Sequence, residues 1–212
     1  MSVRLNNQNK SDNKTDMKKR LITIIIIAAI ALGGFVWVKN AYNQMVVSDE
    51  NVQAAWSQVE NVYQRRADLI PNLVATVKGY AEHESSTLEG VVEARAKATQ
   101  VTVDPTNLTE EALAKFNEAQ GELSSALGRL LLIQENYPDL KASQQFIELQ
   151  AQLEGTENRI TTERMKYNEA AKYFNTGIRQ FPDNIIASIF GFEKKAYFEA
   201  QAGAETAPKV EF

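Results

Sequence analysis

The chain contains no cysteine and only one histidine, His83, among 212 residues. Disulfides, thiolate zinc sites, cysteine nucleophiles and multi-histidine metal sites are therefore excluded. Prolines number 5, glycines 10, and aromatic residues make up 8%, which favours helices over a β-sandwich. No phosphate-binding glycine loop or serine-elbow motif occurs either. We expect a protein that is not an enzyme and has no cofactor, no metal and no catalytic residues.

Charge is unevenly distributed along the chain. Residues 1–38 carry six basic and two acidic side chains, a net charge of +4, whereas residues 39–212 have a net charge of −8. An acidic main domain does not favour binding to nucleic acid. The basic character belongs to the N-terminus alone.

One long apolar run, Leu21–Val38, contains eighteen residues without a charge. As a helix it would be about 27 Å long, close to the hydrocarbon thickness of a bilayer. Lys18, Lys19 and Arg20 precede it directly, and Trp37 has the character of an interfacial anchor. A cleavable signal peptide is the alternative, but its apolar region is usually shorter and ends in a small-x-small site. We therefore predict an uncleaved transmembrane helix.

The positive flank predicts the topology and the domain organisation. Residues 1–20 are expected to form a disordered basic tail in the cytoplasm, and residues 39–200 a domain on the other side of the membrane. Residues 201–212 are expected to be a flexible C-terminal tail. The polypeptide would thus contact the lipid bilayer through residues 21–38.

The extracytoplasmic part shows helical periodicity throughout. Bulky residues recur at alternating spacings of 4 and 3, which is typical of a helix with one buried seam. The first seam comprises Val52, Trp56, Val59, Tyr63, Arg66, Ile70, Leu73, Val77 and Tyr80. Pro71 interrupts that seam and is expected to kink the helix without ending it.

Three further helices are predicted. One covers residues 85–100; a second follows Thr109, with its seam at Leu113, Phe116, Gln120, Leu123, Leu127, Leu130, Gln134 and Tyr137. The last follows Ser143, with its seam at Phe146, Leu149, Leu153, Thr156, Ile160, Glu163, Tyr167, Ala170, Phe174, Ile178 and Phe181. The sequence thus predicts an all-α, antiparallel up-and-down bundle behind one transmembrane helix. The long seams would also suit self-association, so a homo-oligomer is expected.

Arg66 is a charge placed inside an apolar seam. Such a charge is costly unless it is paired, and the candidate partners are Glu157 and Glu163 in the last helix. We interpret this set as an internal polar pairing that fixes helix register, with a polar site or subunit contact as the alternative.

An apolar stretch after Pro182 lies outside the seams, at Ile185, Ile186, Ile189, Phe190 and Phe192. It is a candidate interface for a partner or subunit, although packing on the end of the bundle or at the membrane surface would also account for it. If the segment lies at the membrane, Lys194 and Lys195 would suit an interfacial position. Residues 93–97 are interpreted as a solvated helix face.

His83 and Glu84 are adjacent, which invites a search for a general base or a zinc site. Thr87 occupies the place of the second histidine in the H-E-x-x-H motif, so the motif is absent. A turn residue near the helix break is the preferred interpretation.

Several segments resemble the LemA family: Tyr42-Asn43, Ala55-Trp56, residues 64–84, 137–160 and 181–200, and Tyr167-Asn168. The resemblance implies a bacterial protein with one N-terminal span in the cytoplasmic membrane and a helical bundle outside the cytoplasm. It implies no activity and no catalytic residues, but it suggests another envelope membrane protein as partner, such as a TPM-domain protein or a membrane zinc protease.

Three hypotheses of function remain open. The first is a membrane-anchored structural or scaffold protein that acts by self-assembly or by binding another membrane protein. A second is an extracytoplasmic sensor or ligand-binding bundle that works with a separate signalling partner. The third, an enzyme, has only His83, Glu84 and the surroundings of Arg66 as candidate residues.

Overall fold

A computed structural model describes the backbone of residues 2–199 and the side chains of residues 17–199. The predicted C-terminal tail, residues 201–212, lies outside the described residues and stays a prediction; the backbone of residues 2–20, most of the predicted N-terminal tail, belongs to α1. The helices are α1 Ser2–Tyr80, α2 Ser85–Gln100, α3 Glu110–Leu132, α4 Pro138–Lys141, α5 Gln144–Gly177 and α6 Asp183–Phe190. No strand occurs among the described residues, and the prediction of an all-α bundle with one N-terminal apolar helix is confirmed.

The membrane helix and the first bundle helix form one continuous element, α1. Side chains from Leu21 to Val36 are exposed, whereas Ala41 and Met45 are already buried against the bundle. From Val38 to Tyr80 the helix extends for about 63 Å at 1.5 Å per residue. The sequence left open whether a hinge separates the two parts; the structure has none between them.

Pro71 lies inside α1 and does not end it. A proline has no N–H to donate, so the carbonyl of residue 67, one turn earlier, loses its helical partner. Arg95 of α2 supplies the replacement, because its Nε donates a hydrogen bond of 2.7 Å to the Ala67 carbonyl oxygen. The interpretation of residues 93–97 as a purely solvated face is therefore wrong for Arg95.

The other helices pack along α1 in alternating directions. Helix α5 makes the main contact with α1, α2 packs between α1 and α3, and α6 returns to α1. The Thr109 hydroxyl caps α3 by accepting a hydrogen bond from the Ala112 N–H at 3.2 Å. Ser143 precedes α5 at the N-cap position but its side chain makes no capping bond.

Most seam positions are buried, and the two exposed ones lie at or beyond helix ends. Tyr80 is exposed at the end of α1, and Phe181 is exposed because α5 stops at Gly177. In α5 the buried position is Ala171, one residue after the predicted Ala170. Helix ends leave the regular period, so seam arithmetic fails there first.

Two apolar clusters fill the bundle. The membrane-proximal cluster is built around Trp56, whose ring centroid lies 5.3 Å from that of Phe116 and 5.7 Å from that of Tyr167. The membrane-distal cluster includes Ile70 and Leu130. The two clusters meet at the level of Arg66.

An extended segment, residues 192–199, closes the proximal end of the core. Two asparagines of α5 hold it as a neighbouring strand would. Asn175 exchanges two hydrogen bonds of 2.8 Å with the backbone of Lys195, and Asn168 exchanges bonds of 2.8 and 2.9 Å with the backbone of Phe198. The two asparagines are seven residues apart in a helix, and the two backbone positions they bind are three residues apart in an extended chain. Both separations are about 10 Å, so each asparagine meets its partner.

Candidate functional site

A polar layer crosses the middle of the bundle between the two apolar clusters. It is built from Arg66 of α1, Gln120 of α3 and Thr156 of α5, which are all buried. Each of these residues occupies a seam position of its helix, and each was placed there by sequence periodicity. Polar residues at equivalent levels of three helices favour one axial alignment of those helices, because a shift would bury them against apolar side chains.

Arg66 is the centre of the layer, with only 2% of its surface exposed. Its Nη2 donates to the Gln120 side-chain oxygen at 2.6 Å and to the Gln120 carbonyl at 3.3 Å. Its Nη1 donates to Ser124 Oγ at 2.9 Å and to Glu157 Oε2 at 3.1 Å. The guanidinium is thus held mainly by neutral oxygens, because the side chain of Glu157 is itself 56% exposed.

The two predicted carboxylate partners behave differently. Glu157 reaches Arg66, whereas Glu163 pairs with Lys166 at 2.8 Å and is not brought to Arg66. Sequence reasoning missed Gln120 as the nearest partner. A glutamine in the apolar seam of α3 was the signal that could have identified it.

A polar pocket of about 270 Å³ opens beside the layer. Its lining includes Tyr63, Arg66, Gln120, Glu157 and Arg164. The Arg66 guanidinium lies 5.1 Å from the centre of the Tyr63 ring. Burial raises the pKa of the Tyr63 phenol, and the positive charges of Arg164 and Arg66 oppose that rise. The phenol is therefore neutral and available as a hydrogen-bond donor at physiological pH.

An apolar groove of about 450 Å³ continues from the polar pocket between α3 and α5, and we call it the α3–α5 groove. Its lining residues are Arg66, Ser124, Leu127, Gly128, Leu131, Gln150, Leu153, Glu154 and Glu157. The α3 side consists of small residues alternating with leucines. A Cβ added at Gly128 would meet nothing within 4 Å, so the groove is open at that point.

The chemistry on offer is hydrogen bonding and ion pairing. Within residues 17–199, no three acidic or histidine side chains lie close enough together to hold a metal ion. His83 is exposed in the turn between α1 and α2, and its neighbour Glu84 accepts a hydrogen bond of 3.3 Å from the Tyr137 hydroxyl. The geometry thus places His83 at the far end of the bundle and away from the Arg66 pocket.

The predicted apolar interface after Pro182 is split by the structure. Ile186 is buried against the core, and Phe192 is half-buried with its ring 6.2 Å from that of Phe174. Ile185, Ile189 and Phe190 remain exposed. We call Phe181, Ile185, Ile189 and Phe190 the α6 surface.

Lys195 is buried and does not occupy the membrane-interfacial position that the sequence suggested for Lys194 and Lys195. Its ammonium lies 2.8 Å from Asp49 Oδ1 and donates to the Thr106 carbonyl at 3.1 Å, and the side chain is 9% exposed. The pair ties the C-terminal segment to α1 near the membrane. The exposed lysine of this region is Lys194.

Sequence comparison finds relatives that match most of the chain. Magnetosome protein MamQ 2 of Paramagnetospirillum magneticum is 28% identical over 203 residues, which cover 88% of this chain and 74% of that protein. Protein LemA of Metamycoplasma hominis is 26% identical over 196 residues, covering 92% of this chain and 85% of its own. Magnetosome protein MamQ of Magnetospirillum gryphiswaldense is 28% identical over 182 residues, which cover 78% of this chain and 67% of that protein.

One helix of the described residues, α1, is long and apolar enough to cross a membrane. Together with these relatives, it makes the chain a membrane-associated helical protein. The family model for the LemA family matches residues 55–212, which include the Arg66 layer, the α3–α5 groove and the α6 surface. The expected resemblance is thus confirmed, and this chain belongs to the LemA family.

Proposed function

We propose that this protein is a non-catalytic scaffold of the bacterial envelope that assembles with further copies of itself. The single observation that carries the proposal is the continuity of α1 from the apolar span into the bundle core. Because the first bundle helix, about 63 Å long from Val38 to Tyr80, continues the span without a break, the bundle has a defined height above the membrane. Copies anchored in this way meet side by side at matching levels.

The α3–α5 groove is the contact surface in this proposal. Small residues at its α3 side let another helix approach closely, and half-buried Leu131 offers apolar surface beside the buried Leu127 and Leu153. The groove runs beside α1 and is reached from the side of the bundle. Lateral contacts between anchored copies would therefore extend in the plane of the membrane.

The positive flank of the span supports the proposed topology, with the N-terminus in the cytoplasm and the bundle outside the inner membrane. An extracytoplasmic scaffold needs no cytoplasmic output module. The relatives named magnetosome proteins, together with the apolar span of α1, suit a structural role at a membrane.

The test uses the absence of native cysteine. Gly128→Cys places one thiol in the groove, and Gly155→Cys places one on the exposed face of α5 as the matched control. A Cβ at either glycine meets nothing within 4 Å, so both variants should fold. Each is labelled with benzophenone maleimide in native membranes and irradiated.

Self-assembly through the groove predicts an adduct of twice the 23.7 kDa chain mass from Gly128→Cys and none from Gly155→Cys. Adducts of equal yield from both positions, or none from either, would contradict the groove as contact surface. An adduct with a different protein would replace self-assembly by a heterologous partner.

A second candidate function is ligand binding in the polar pocket, favoured by the Tyr63 phenol and the Arg164 guanidinium that face it. A carboxylate-bearing ligand would fit these two donors. Arg164→Gln should then abolish a ligand-induced rise in unfolding temperature without changing the mass of the assembly. A rise that persists in this variant would exclude the pocket.

A further inference from the structure

Helix α6 lies at the level where the membrane span ends. The ring centroid of Phe190 is 4.7 Å from that of Tyr42, and Val38, the last residue of the apolar run, packs against the same core cluster. Tyr42 is four residues beyond Val38, a rise of about 6 Å along α1. The polar headgroup layer on each side of a bilayer is about 5–7 Å thick. Helix α6 therefore sits beside the headgroups.

The exposed edge of α6 is turned away from the bundle. Ala187 is buried, and its carbonyl accepts a hydrogen bond of 3.0 Å from the Phe192 N–H. From Phe192 the chain runs along α1 in the direction away from the membrane span. Ile185 and Ile189 lie two residues before and after Ala187, each about 200° around the helix from it. They occupy the face opposite Ala187, which is buried in the same core cluster as Ala41 and Met45 at the end of the bundle next to the span.

The course of the chain after Phe192 shows which side of α6 faces away from the membrane span. Six residues later Phe198 stacks on Trp56 with the ring centroids 5.8 Å apart. Trp56 is fourteen residues beyond Tyr42 in α1, about 21 Å farther from the span. The bundle thus occupies the Ala187 side of α6, and its opposite edge faces the bilayer.

That edge is apolar and unusually open. Ile185 is 50% exposed, Ile189 72% and Phe181, just before the helix, 83%. In water such a surface is unfavourable, whereas at the boundary of headgroups and acyl chains it is stabilised by burial in lipid. Lys39, exposed directly after the span, offers a cation to anionic headgroups at the same level.

We propose that α6 lies flat on the lipid bilayer, with Phe181, Ile185 and Ile189 inserted at the boundary of headgroups and acyl chains. The bundle then has two membrane attachments, the span and α6. A single helix can tilt and rotate about its axis, and the second attachment fixes which side of the bundle faces the bilayer. This inference rests on the membrane span and not on the proposed scaffold function.

The test measures lipid contact at one position of the full-length protein. Ile189→Cys is labelled with the fluorophore NBD, and the matched control is Leu132→Cys, an apolar residue of similar exposure, 68%, at the membrane-distal end of α3. Both proteins are reconstituted in vesicles of phosphatidylcholine and phosphatidylglycerol, with or without doxyl-labelled phosphatidylcholine as quencher. Both sites are exposed, so neither substitution removes core packing.

Contact with lipid predicts blue-shifted emission at Ile189→Cys and a loss of about half or more of its intensity with the doxyl lipid. Leu132→Cys, about 60 Å from the span, should show neither effect. Emission without a blue shift and without quenching at both sites would overturn the proposal, because it would show that α6 is exposed to water. Blue-shifted but unquenched emission at Ile189→Cys would also overturn it, because a second copy would then cover the α6 surface.

Discussion

The polar layer makes a quantitative prediction about which partner of Arg66 matters for stability. Gln120 accepts the shortest hydrogen bond of the guanidinium, 2.6 Å, and is buried, whereas the carboxylate of Glu157 is more than half exposed. Replacing Gln120 by Leu leaves a buried cation without its nearest acceptor. Replacing Glu157 by Gln removes a charge that water already solvates. We expect the neutral residue to be the more important one.

The magnitudes follow from burial. A hydrogen bond to a charged group contributes about 1.5–3 kcal/mol, so Gln120→Leu should lower the free energy of unfolding by about 2–3 kcal/mol. Arg66→Met leaves the buried Gln120 oxygen unpaired but removes the desolvation of the guanidinium, for a net loss of about 1–2 kcal/mol. Glu157→Gln should cost at most about 0.5 kcal/mol, as expected of an exposed ion pair.

The double variant is the sharpest part of the test. Arg66→Met with Gln120→Leu removes both partners and leaves apolar side chains in contact, so it should lie within about 1 kcal/mol of the wild type. The coupling energy between the two positions is then at least about 2 kcal/mol. Independent contributions would instead make the double variant the least stable of the set.

The assay is urea unfolding of the full-length protein in detergent, followed by the fluorescence of Trp56. The only other tryptophan, Trp37, lies in the apolar run, so a Trp37→Phe background isolates the signal of the bundle. The reasoning is refuted if Glu157→Gln destabilises more than Gln120→Leu, or if the two single losses simply add. The first result would mean that the carboxylate holds Arg66, and the second that Arg66 and Gln120 contribute to stability independently.

Further predictions concern the segment held by α5 and the proline of α1. Asn175→Leu leaves two buried backbone groups of residue 195 unpaired and should lower the free energy of unfolding by about 2–3 kcal/mol. Urea unfolding measures this loss, and Asn158→Leu, at an exposed position of α5, is the control. Burial raises the pKa of Tyr167, so the folded protein keeps a proton that the unfolded chain releases above about pH 10, and stability falls as pH rises through that range. Tyr167→Phe should make this alkaline decline in stability shallower. At neutral pH it should lower the free energy of unfolding by about 1 kcal/mol, because the 2.9 Å hydrogen bond of the phenol is removed. An unchanged pH profile would contradict the role of Tyr167 in the decline. Arg95→Ala should cost about 1–2 kcal/mol in the wild type but less in a Pro71→Ala background, where the helix pairs its own carbonyl, and equal costs in both backgrounds would refute the replacement role of Arg95.

Several features of this protein follow from interactions between residues that are close in the sequence. Eighteen uncharged residues predict a membrane span because backbone groups in lipid must be satisfied within a helix. The spacing of 4 and 3 predicts long helices with one buried face, and the seam identified Arg66 as an internal charge. Thr109 marked the start of α3 because its hydroxyl can cap the first turn. These features depend on a few neighbouring residues, so the sequence reveals them.

The tertiary structure alone decided which partners those residues meet. Arg66 is held by Gln120 rather than by Glu163, because the axial alignment of α1, α3 and α5 sets which oxygens are within reach. Ile185 and Ile186 look alike in the sequence, yet one is exposed and the other buried, since the packing of α6 on α1 divides the apolar stretch. Lys195 is paired with Asp49, at a separation of 146 residues. Such contacts depend on helix packing across the bundle, and no local pattern in the chain encodes them.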